Sequence, residues 1–475
     1  MESTEAYLDR KYEELKLLNS CLRRSLSLIR PRSIGEVIGS KFQLTASIRA
    51  EHELEAWTAT ETAWSSLDRG RFGPFHFKYD YQRADLEVEG PSFYDFSGEF
   101  TWDTVYTGSG MAAISALLLA SAHVLGRADV LVLPSTYGES LELIDRYAGH
   151  LRKVVVKGGL DNKLAGAGIR RMLLLDFCAP DGALEATLRS TGRSLDLLVF
   201  DTTCFAGSSG RIRRVLRWAC QWNIPTVMVR SHNKLDSLGA EYGRLGSASF
   251  VYPTSAVAAP YPKLNDLLSE TRNAIRLFGG AALPAHFPPY IGADSYRSLT
   301  SRRVATILRN SRRTNRYFRS ALKAPVRELH FAHGLYVTLS SRQPLNEAAA
   351  RSAAARMAED LGRAGFPIRH AGSFGFDFAA VEWFRDVLTE EYSVRIAVPD
   401  LPTKPWDDLT MAIARWWLAS SISTQRIRSA QLPPTPADGT PDRTEEPWRN
   451  SHVSWTWPSG FEKSRSSKMK RAAAC

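Results

Sequence analysis

The sequence is poor in cysteine and contains no long hydrophobic run. Its five cysteines, in 475 residues, include no CxxC pair and no Cys/His cluster with the spacing of metal ligands. We therefore expect reduced, mostly buried thiols and no zinc site. No apolar stretch reaches the roughly 18 residues that would cross a bilayer, and the start of the chain lacks the apolar core of a signal peptide. These absences favour a cytoplasmic protein without a membrane partner.

Acidic residues are too few to balance the basic ones, and the formal net charge is +11. A basic excess is compatible with nucleic acid, with small anionic ligands or with a solvated basic surface. The basic residues are scattered, apart from Arg302-Arg303, Arg312-Arg313 and the run Lys468–Arg471. The spacing over Ser301–Leu322 predicts an amphipathic helix with one arginine-rich solvent face. Because the charges are scattered, we expect no nucleic-acid partner.

Length and composition predict a soluble protein of more than one domain. The hydrophobic fraction is 44% and the charged fraction 23%, as in globular proteins. A chain of 475 residues is too long to fold around a single hydrophobic core. We divide it into an N-terminal extension and arm (1–100), a large α/β domain (101–300), a connecting helix (301–325), a smaller α+β domain (326–425) and a flexible tail (426–475). In the extension, helices are predicted over Ala6–Ile29 and Ala46–Ser66.

Short apolar runs alternate with helix-like segments in the central part of the chain. The predicted strands are Val130–Leu133, Val154–Val156, Met172–Phe177, Leu197–Phe200 and Thr226–Val229. The predicted helices are a segment from the glycines before Met111 to Val124, then Gly182–Thr191 and Gly210–Trp222. This alternation is typical of a mostly parallel sheet covered by helices on both faces. Ligands of such sheets bind at the carboxyl ends of the strands.

The smaller domain has a mixed pattern of strands and helices. Strands are predicted over His330–Leu339 and Ser393–Val398, and helices over Asn346–Ala364 and Trp406–Ser420. The pattern indicates an α+β unit.

An acid and a lysine follow two of the predicted central strands. Asp201 ends the run Leu197–Phe200, and Lys234 follows Thr226–Val229 within Ser231-His232-Asn233-Lys234. Such a pair can hold pyridoxal phosphate (PLP), the lysine as a Schiff base and the carboxylate against the pyridine nitrogen. A lysine in an apolar, partly desolvated pocket also becomes nucleophilic.

Two further features are expected at the same edge of the sheet. Gly110 and Met111 open a helix, whose free amides and dipole favour a phosphate group. Tyr137 follows the first central strand and could stack on a flat cofactor ring, while Ser231 could donate its hydroxyl to the phosphate.

Each feature also has an ordinary structural interpretation. The glycines could form a simple turn into a buried helix, Tyr137 could be a core residue, Asp201 could cap a turn, and Lys234 could be an exposed loop residue. His232 is expected to pack within its loop. The coincidence of four such features in one α/β unit favours the cofactor site.

The order of these motifs resembles fold type I PLP enzymes, most closely the cystathionine γ-synthase branch of the Cys/Met metabolism enzymes. The motifs that carry the resemblance are Ser109-Gly110-Met111-Ala112-Ala113, Tyr137-Gly138, Asp201-Thr202-Thr203 and Ser231-x-x-Lys234. The resemblance implies that Gly110, Met111 and Ser231 bind the phosphate. It also implies that Tyr137 stacks on the ring, Asp201 pairs with the pyridine nitrogen and Lys234 carries the cofactor.

Three weaker matches extend the resemblance. Tyr81 and Arg83 resemble the arm that reaches the phosphate in a neighbouring subunit, which implies a homodimer or tetramer. Arg395, on the strand Ser393–Val398, resembles the arginine that grips the substrate carboxylate. Arg244, in Gly243-Arg244-Leu245-Gly246, is similar to a phosphate-binding arginine of aminotransferases.

The resemblance implies an enzyme of amino-acid metabolism that uses PLP and acts on an α-amino acid through an external aldimine and a quinonoid. The reaction expected is elimination or replacement at Cγ or Cβ, with Lys234 and Tyr137 as catalytic residues and a second co-substrate in the case of replacement. Transamination, favoured by Arg244, is an alternative. A non-catalytic basic binding protein on the same scaffold is an alternative of another class.

Overall fold

The computed structural model describes residues 2–55, 71–78, 86–96, 98–157, 159–160, 168–176, 178, 181–254, 262–322, 334–341 and 344–427. The chain divides into the units Met1–Gln425 and Arg426–Cys475. The arm residues Tyr81 and Arg83, and nearly all of the predicted tail, lie outside the described residues.

The helices and strands of the described ranges are numbered in chain order. The helices are α1 (Thr4–Asn19), α2 (Ile34–Glu55), α3 (Gly110–Leu125), α4 (Gly138–Tyr147), α5 (Asp181–Arg189), α6 (Gly210–Gln221), α7 (Pro262–Phe278), α8 (Asp294–Ala321), α9 (Glu347–Arg363) and α10 (Thr403–Ile427). The strands are β1 (Arg71–Phe72), β2 (Phe75–Lys78), β3 (Glu87–Glu89), β4 (Phe100–Thr107), β5 (Ala128–Val132), β6 (Leu151–Val155), β7 (Arg170–Leu175), β8 (Leu197–Asp201), β9 (Thr226–Ser231), β10 (Gly246–Pro253), β11 (Tyr336–Leu339), β12 (Ile368–His370), β13 (Ala379–Arg385) and β14 (Tyr392–Ala397).

The largest sheet has seven strands in the order β4-β10-β9-β8-β7-β5-β6. Strands β5 to β9 pair in parallel, whereas β10 runs antiparallel to both of its neighbours. The predicted α/β class with a mostly parallel sheet is therefore confirmed, and each of the five predicted strands overlaps one of β5 to β9. Sequence reasoning did not predict β4 or β10.

The apolar runs form strands because both faces of the sheet are covered. Successive side chains of a strand point to opposite faces, and Leu173 and Leu175 of β7 enter one hydrophobic core. Met172 and Leu174 of the same strand enter the other. A strand buried on both sides needs the near-continuous apolar sequence that predicted it.

A four-stranded sheet follows in the C-terminal part of the first unit, in the order β11-β14-β13-β12. Strand β14 is antiparallel to β11 and β13, and β12 is parallel to β13. With α9 packed beside it, this sheet is the predicted α+β unit. None of the described helices combines the length and the apolar character needed to cross a membrane.

The helix predicted over Ala6–Ile29 is wrong in its length, because α1 ends at Asn19. The Asn19 side chain donates to the Leu26 carbonyl at 2.9 Å and accepts from the Leu26 amide at 2.8 Å. Asparagine competes in this way with the helical backbone and closes a turn.

The arginine-rich solvent face predicted on α8 is present, with Arg302, Arg312 and Arg316 exposed, but Arg303 is not part of it. Arg303 lies on that helix, yet it is completely buried and donates to Asp377 at 2.5 Å. A buried arginine requires carboxylate partners, and these come from a distant part of the chain.

Candidate functional site

A cavity of about 630 Å³ lies at the carboxyl ends of β5, β8 and β9. The first turn of α3 and strands β13 and β14 complete its wall. Seven of the residues singled out in the sequence line it: Gly110, Met111, Tyr137, Asp201, Ser231, Lys234 and Arg395. Residues far apart in the chain thus meet at the edge of the sheet where ligands of α/β proteins bind.

The N-terminus of α3 forms one end of the cavity. The Ser109 hydroxyl accepts from the Ala112 amide at 3.0 Å, whereas Gly110 and Met111, at the first two helical positions, have no intrahelical acceptor for their amides. A Cβ on Gly110 would come within 2.9 Å of the Ser231 Cβ. The glycine therefore lets the backbone approach the end of β9 and leaves a cradle suited to an anion.

Lys234 lies in the loop that follows β9, three residues after the end of the strand. Its Nζ donates to the Ser373 hydroxyl at 2.6 Å and lies 5.7 Å from the centre of the Phe374 ring. Ser373 is buried, lines the same cavity and was not found from the sequence. The ε-amine is thus fixed by a partner 139 residues further along the chain.

Asp201 is the last residue of β8 and is 7% exposed. Burial raises the pKa of its carboxyl group, and hydrogen bonds from Thr203 oppose that rise, including one from the Thr203 amide at 2.8 Å. Among the residues that the structure describes, Asp201 has no ion-pair partner. A buried carboxylate without an ion-pair partner is suited to a cationic ligand group.

Tyr137 precedes α4 and is half-buried. Its amide donates to the Asp176 carboxylate at 2.6 Å. Burial, followed by the nearby charge of Glu139, raises the pKa of the Tyr137 phenol far above its ordinary value. The phenol is therefore protonated at neutral pH and is suited to donate a hydrogen bond or to cover an aromatic ring.

Arg395 of β14 is held between two aromatic rings. Its guanidinium carbon lies 4.5 Å from the ring centres of both Tyr336 and Phe384, and its Nε donates to Glu382 at 2.7 Å. The Arg395 Nη1 is buried without a hydrogen-bond partner. A buried guanidinium nitrogen left unsatisfied costs free energy, and an anionic ligand in the cavity would satisfy it.

The other predicted residues near the site are placed apart from the cavity. His232 is completely buried, with its ring nitrogens 2.8 Å from Asp236 and Ser247, as expected of a residue that packs its loop. Arg244 is exposed and does not line the cavity. No three His, Cys, Asp or Glu side chains of the described ranges converge as a metal ion would require.

Comparisons with known proteins give no match to a family model and no match among curated proteins. Among solved structures, the chain is similar to cystathionine γ-synthase from Xanthomonas oryzae pv. oryzae (16% identity, 68% of this chain and 82% of that one, TM-score 0.45). It is also similar to MetB from Corynebacterium glutamicum (14% identity, 76% and 92%, TM-score 0.49).

A third similar structure is a putative histidinol-phosphate aminotransferase from Erwinia carotovora atroseptica, at 12% identity, with 67% of this chain and 82% of that one covered and a TM-score of 0.40. All three TM-scores lie below 0.5, so function has to be argued from the residues of the cavity.

Proposed function

We propose that this cavity binds PLP and that the protein is an enzyme acting on an α-amino acid, by elimination or replacement at Cγ or Cβ. The observation that carries the proposal is the meeting of Lys234, Asp201 and the first turn of α3 in one cavity. The lysine amine can react with the aldehyde of PLP, the carboxylate can pair with its pyridine nitrogen, and the helix N-terminus can bind its phosphate.

The phosphate end of the cofactor fits the first turn of α3. In this proposal the amides of Gly110 and Met111 donate to the phosphate, together with the Ser231 hydroxyl. The cradle supports the assignment because a Cβ at Gly110 would have no room. The positive end of the helix dipole adds to the attraction.

The ring end fits the pair Asp201 and Tyr137. Asp201 is a buried carboxylate that has no ion-pair partner among the described residues, and a protonated pyridine nitrogen would be one. The protonated phenol of Tyr137 would cover the ring and donate a hydrogen bond, rather than act as a base.

Lys234 is the residue that moves protons in this proposal. When bound, PLP supplies an electron sink for the charge that develops at the substrate α-carbon. The Nζ of Lys234 would hold the cofactor, and the same nitrogen would accept the proton of the substrate α-carbon and carry a proton at the β-carbon. The Ser373 hydroxyl accepts a hydrogen bond from this nitrogen and fixes its position in the cavity.

Arg395 binds the substrate carboxylate in this proposal. The unpartnered Nη1 supports that role, because a carboxylate would complete its hydrogen bonding. Glu382 already occupies the Nε side of the guanidinium, and the flanking rings hold the plane of the group in one orientation.

The proposal is tested by the colour of the protein after incubation with PLP. We expect a visible absorbance band in the wild type and in Lys157→Ala, which removes an exposed lysine outside the cavity, but not in Lys234→Ala. A wild-type protein that stays colourless would contradict cofactor binding and would favour a non-catalytic binding protein.

The reaction type needs a separate single-turnover experiment. The coloured protein is mixed with amino acids that carry a leaving group at Cβ or Cγ. Release of the leaving group with recovery of the visible band supports elimination or replacement. Conversion of the cofactor to its amine form, with a keto acid as product, would instead indicate transamination.

A further inference from the structure

The N-terminal helices α1 and α2 carry charged side chains into the protein interior. Seven buried ionisable residues meet there and are called the buried ion cluster: Arg10, Lys11, Glu14, Lys41, Arg303, Asp377 and Asp400. Arg10 is 7% exposed and Asp377 2%, and Lys11, Glu14, Lys41, Arg303 and Asp400 are completely buried. With Glu2, which pairs with Arg10 at the edge, four cations face four carboxylates.

The buried ion cluster reaches two loops of the candidate active site. Residues 234–239, the lysine loop, begin with Lys234, and residues 372–377, the serine loop, contain Ser373. The Asp377 carboxylate of the serine loop accepts from Lys11 and Lys41, each at 2.6 Å. The loop that positions Ser373 is therefore tied to both N-terminal helices.

Lys41 of α2 bonds to both loops at once. Its Nζ donates to the Leu238 carbonyl of the lysine loop at 2.8 Å and to Asp377 of the serine loop at 2.6 Å. The third donor of the ammonium group goes to Glu14. All three donors of the lysine are thus used, and its position fixes the separation of the two loops.

The loops are packed too closely to adjust independently. A Cβ on Gly375 of the serine loop would lie 3.1 Å from the carbonyl of Lys234. Arg303 donates to the Gly375 carbonyl and to Asp377 of the same loop. A displacement of Asp377 would therefore be transmitted to Ser373 and to its contact with Lys234.

We propose that Lys41 is a positioning residue for Lys234: through Leu238 and Asp377 it holds the two loops so that Ser373 meets the ε-amine. The N-terminal helices would then be part of the catalytic apparatus rather than an appendage. The inference rests on the proposed function for the use of Lys234, but the contact itself can be tested without cofactor.

The test measures how readily the Lys234 amine reacts in cofactor-free protein. A small amine-acylating reagent is added, and mass spectrometry compares the labelling rate of Lys234 with that of the exposed Lys157. Ser373→Ala removes the contact directly and serves as the reference. We expect Lys41→Met to raise the labelling rate of Lys234 as Ser373→Ala does, by about two- to tenfold. This factor corresponds to the net free energy of one hydrogen bond.

Two further variants separate positioning from stability. Arg10→Met is the matched control, because Arg10 bonds to Glu2, Glu14 and Asp400 but to neither loop. We expect it to leave the Lys234 rate unchanged even where it lowers the melting temperature. If Lys41→Met does not fold, Lys41→Met/Asp377→Asn removes one charge of each sign and should show the same rise.

The double variant Lys41→Met/Ser373→Ala decides whether Lys41 acts through Ser373. We expect no further rise beyond Ser373→Ala alone, since the contact is already lost. Folded Lys41 variants that label Lys234 at the wild-type rate, or effects that simply multiply, would overturn the proposal. A wild-type protein that never becomes coloured with PLP would contradict the proposed function but not this positioning.

Discussion

Replacing the Arg395–Glu382 pair should weaken the binding of the substrate carboxylate and leave the rest of substrate binding unchanged. Arg395→Gln by itself would leave Glu382, whose side chain is 15% exposed, without its partner, and a largely buried carboxylate without its cation destabilises the fold. The double variant Arg395→Gln/Glu382→Gln removes both charges together. Its two amides can still hydrogen-bond to each other, so the fold should be retained.

The size of the effect follows from the unpartnered Nη1 of Arg395. A hydrogen bond to a charged group contributes about 1.5–3 kcal/mol, which corresponds to a loss of roughly 10- to 150-fold in affinity. The assay is a titration of the PLP-loaded protein with an amino acid and, separately, with the amine that lacks its carboxylate, followed by the absorbance of the cofactor.

The comparison of the two ligands is the control for indirect effects. Wild type should prefer the amino acid, and the double variant should lose that preference while binding the amine as before. An equal loss for both ligands would mean that the substitutions disturb the cavity in general. The assignment of Arg395 to the carboxylate would then be refuted.

Three other outcomes are expected. Gly110→Ala should lower PLP affinity by about tenfold or more in an equilibrium titration, since its Cβ would collide with Ser231 and the resulting shift would disturb charged hydrogen bonds. Gly108→Ala, with no atom within 4 Å of the new Cβ, should leave the affinity unchanged. Trp406→Ala should lower the free energy of unfolding in urea by about 3–5 kcal/mol, because the side chain is completely buried. At pH 8 a thiol reagent should label exposed Cys220 well before Cys178, whose thiol pKa burial holds above its usual value; equal rates would contradict the packing.

The parallel strands were predictable because each strand carries its own signal. Strand β8, for example, is apolar along its whole length until Asp201. Strand β10 gives no such signal, since it begins Gly246-Ser247-Ala248-Ser249 and is stabilised by pairing with strands on both sides. Small polar residues adopt a buried strand because of the strands that pair with them, and not because of their own strand propensity.

The residues of the candidate site also fall into those that local sequence predicts and those that it does not. Lys234, Asp201 and Gly110 were predictable because the end of a strand or the start of a helix fixes their position. Ser373 was not, because a serine in a loop has no local signal and its partner lies 139 residues away. The burial of Arg303 was missed for a related reason, since its carboxylate partners come from distant segments.

Reductive trapping of the cofactor would identify directly the residue that binds it. The protein is incubated with PLP, reduced with borohydride to make the link to an amine permanent, and digested for mass spectrometry. We expect the pyridoxyl mass on the peptide that contains Lys234, and its loss in Lys234→Ala. A modified lysine elsewhere, or no modified peptide at all, would contradict PLP binding at Lys234.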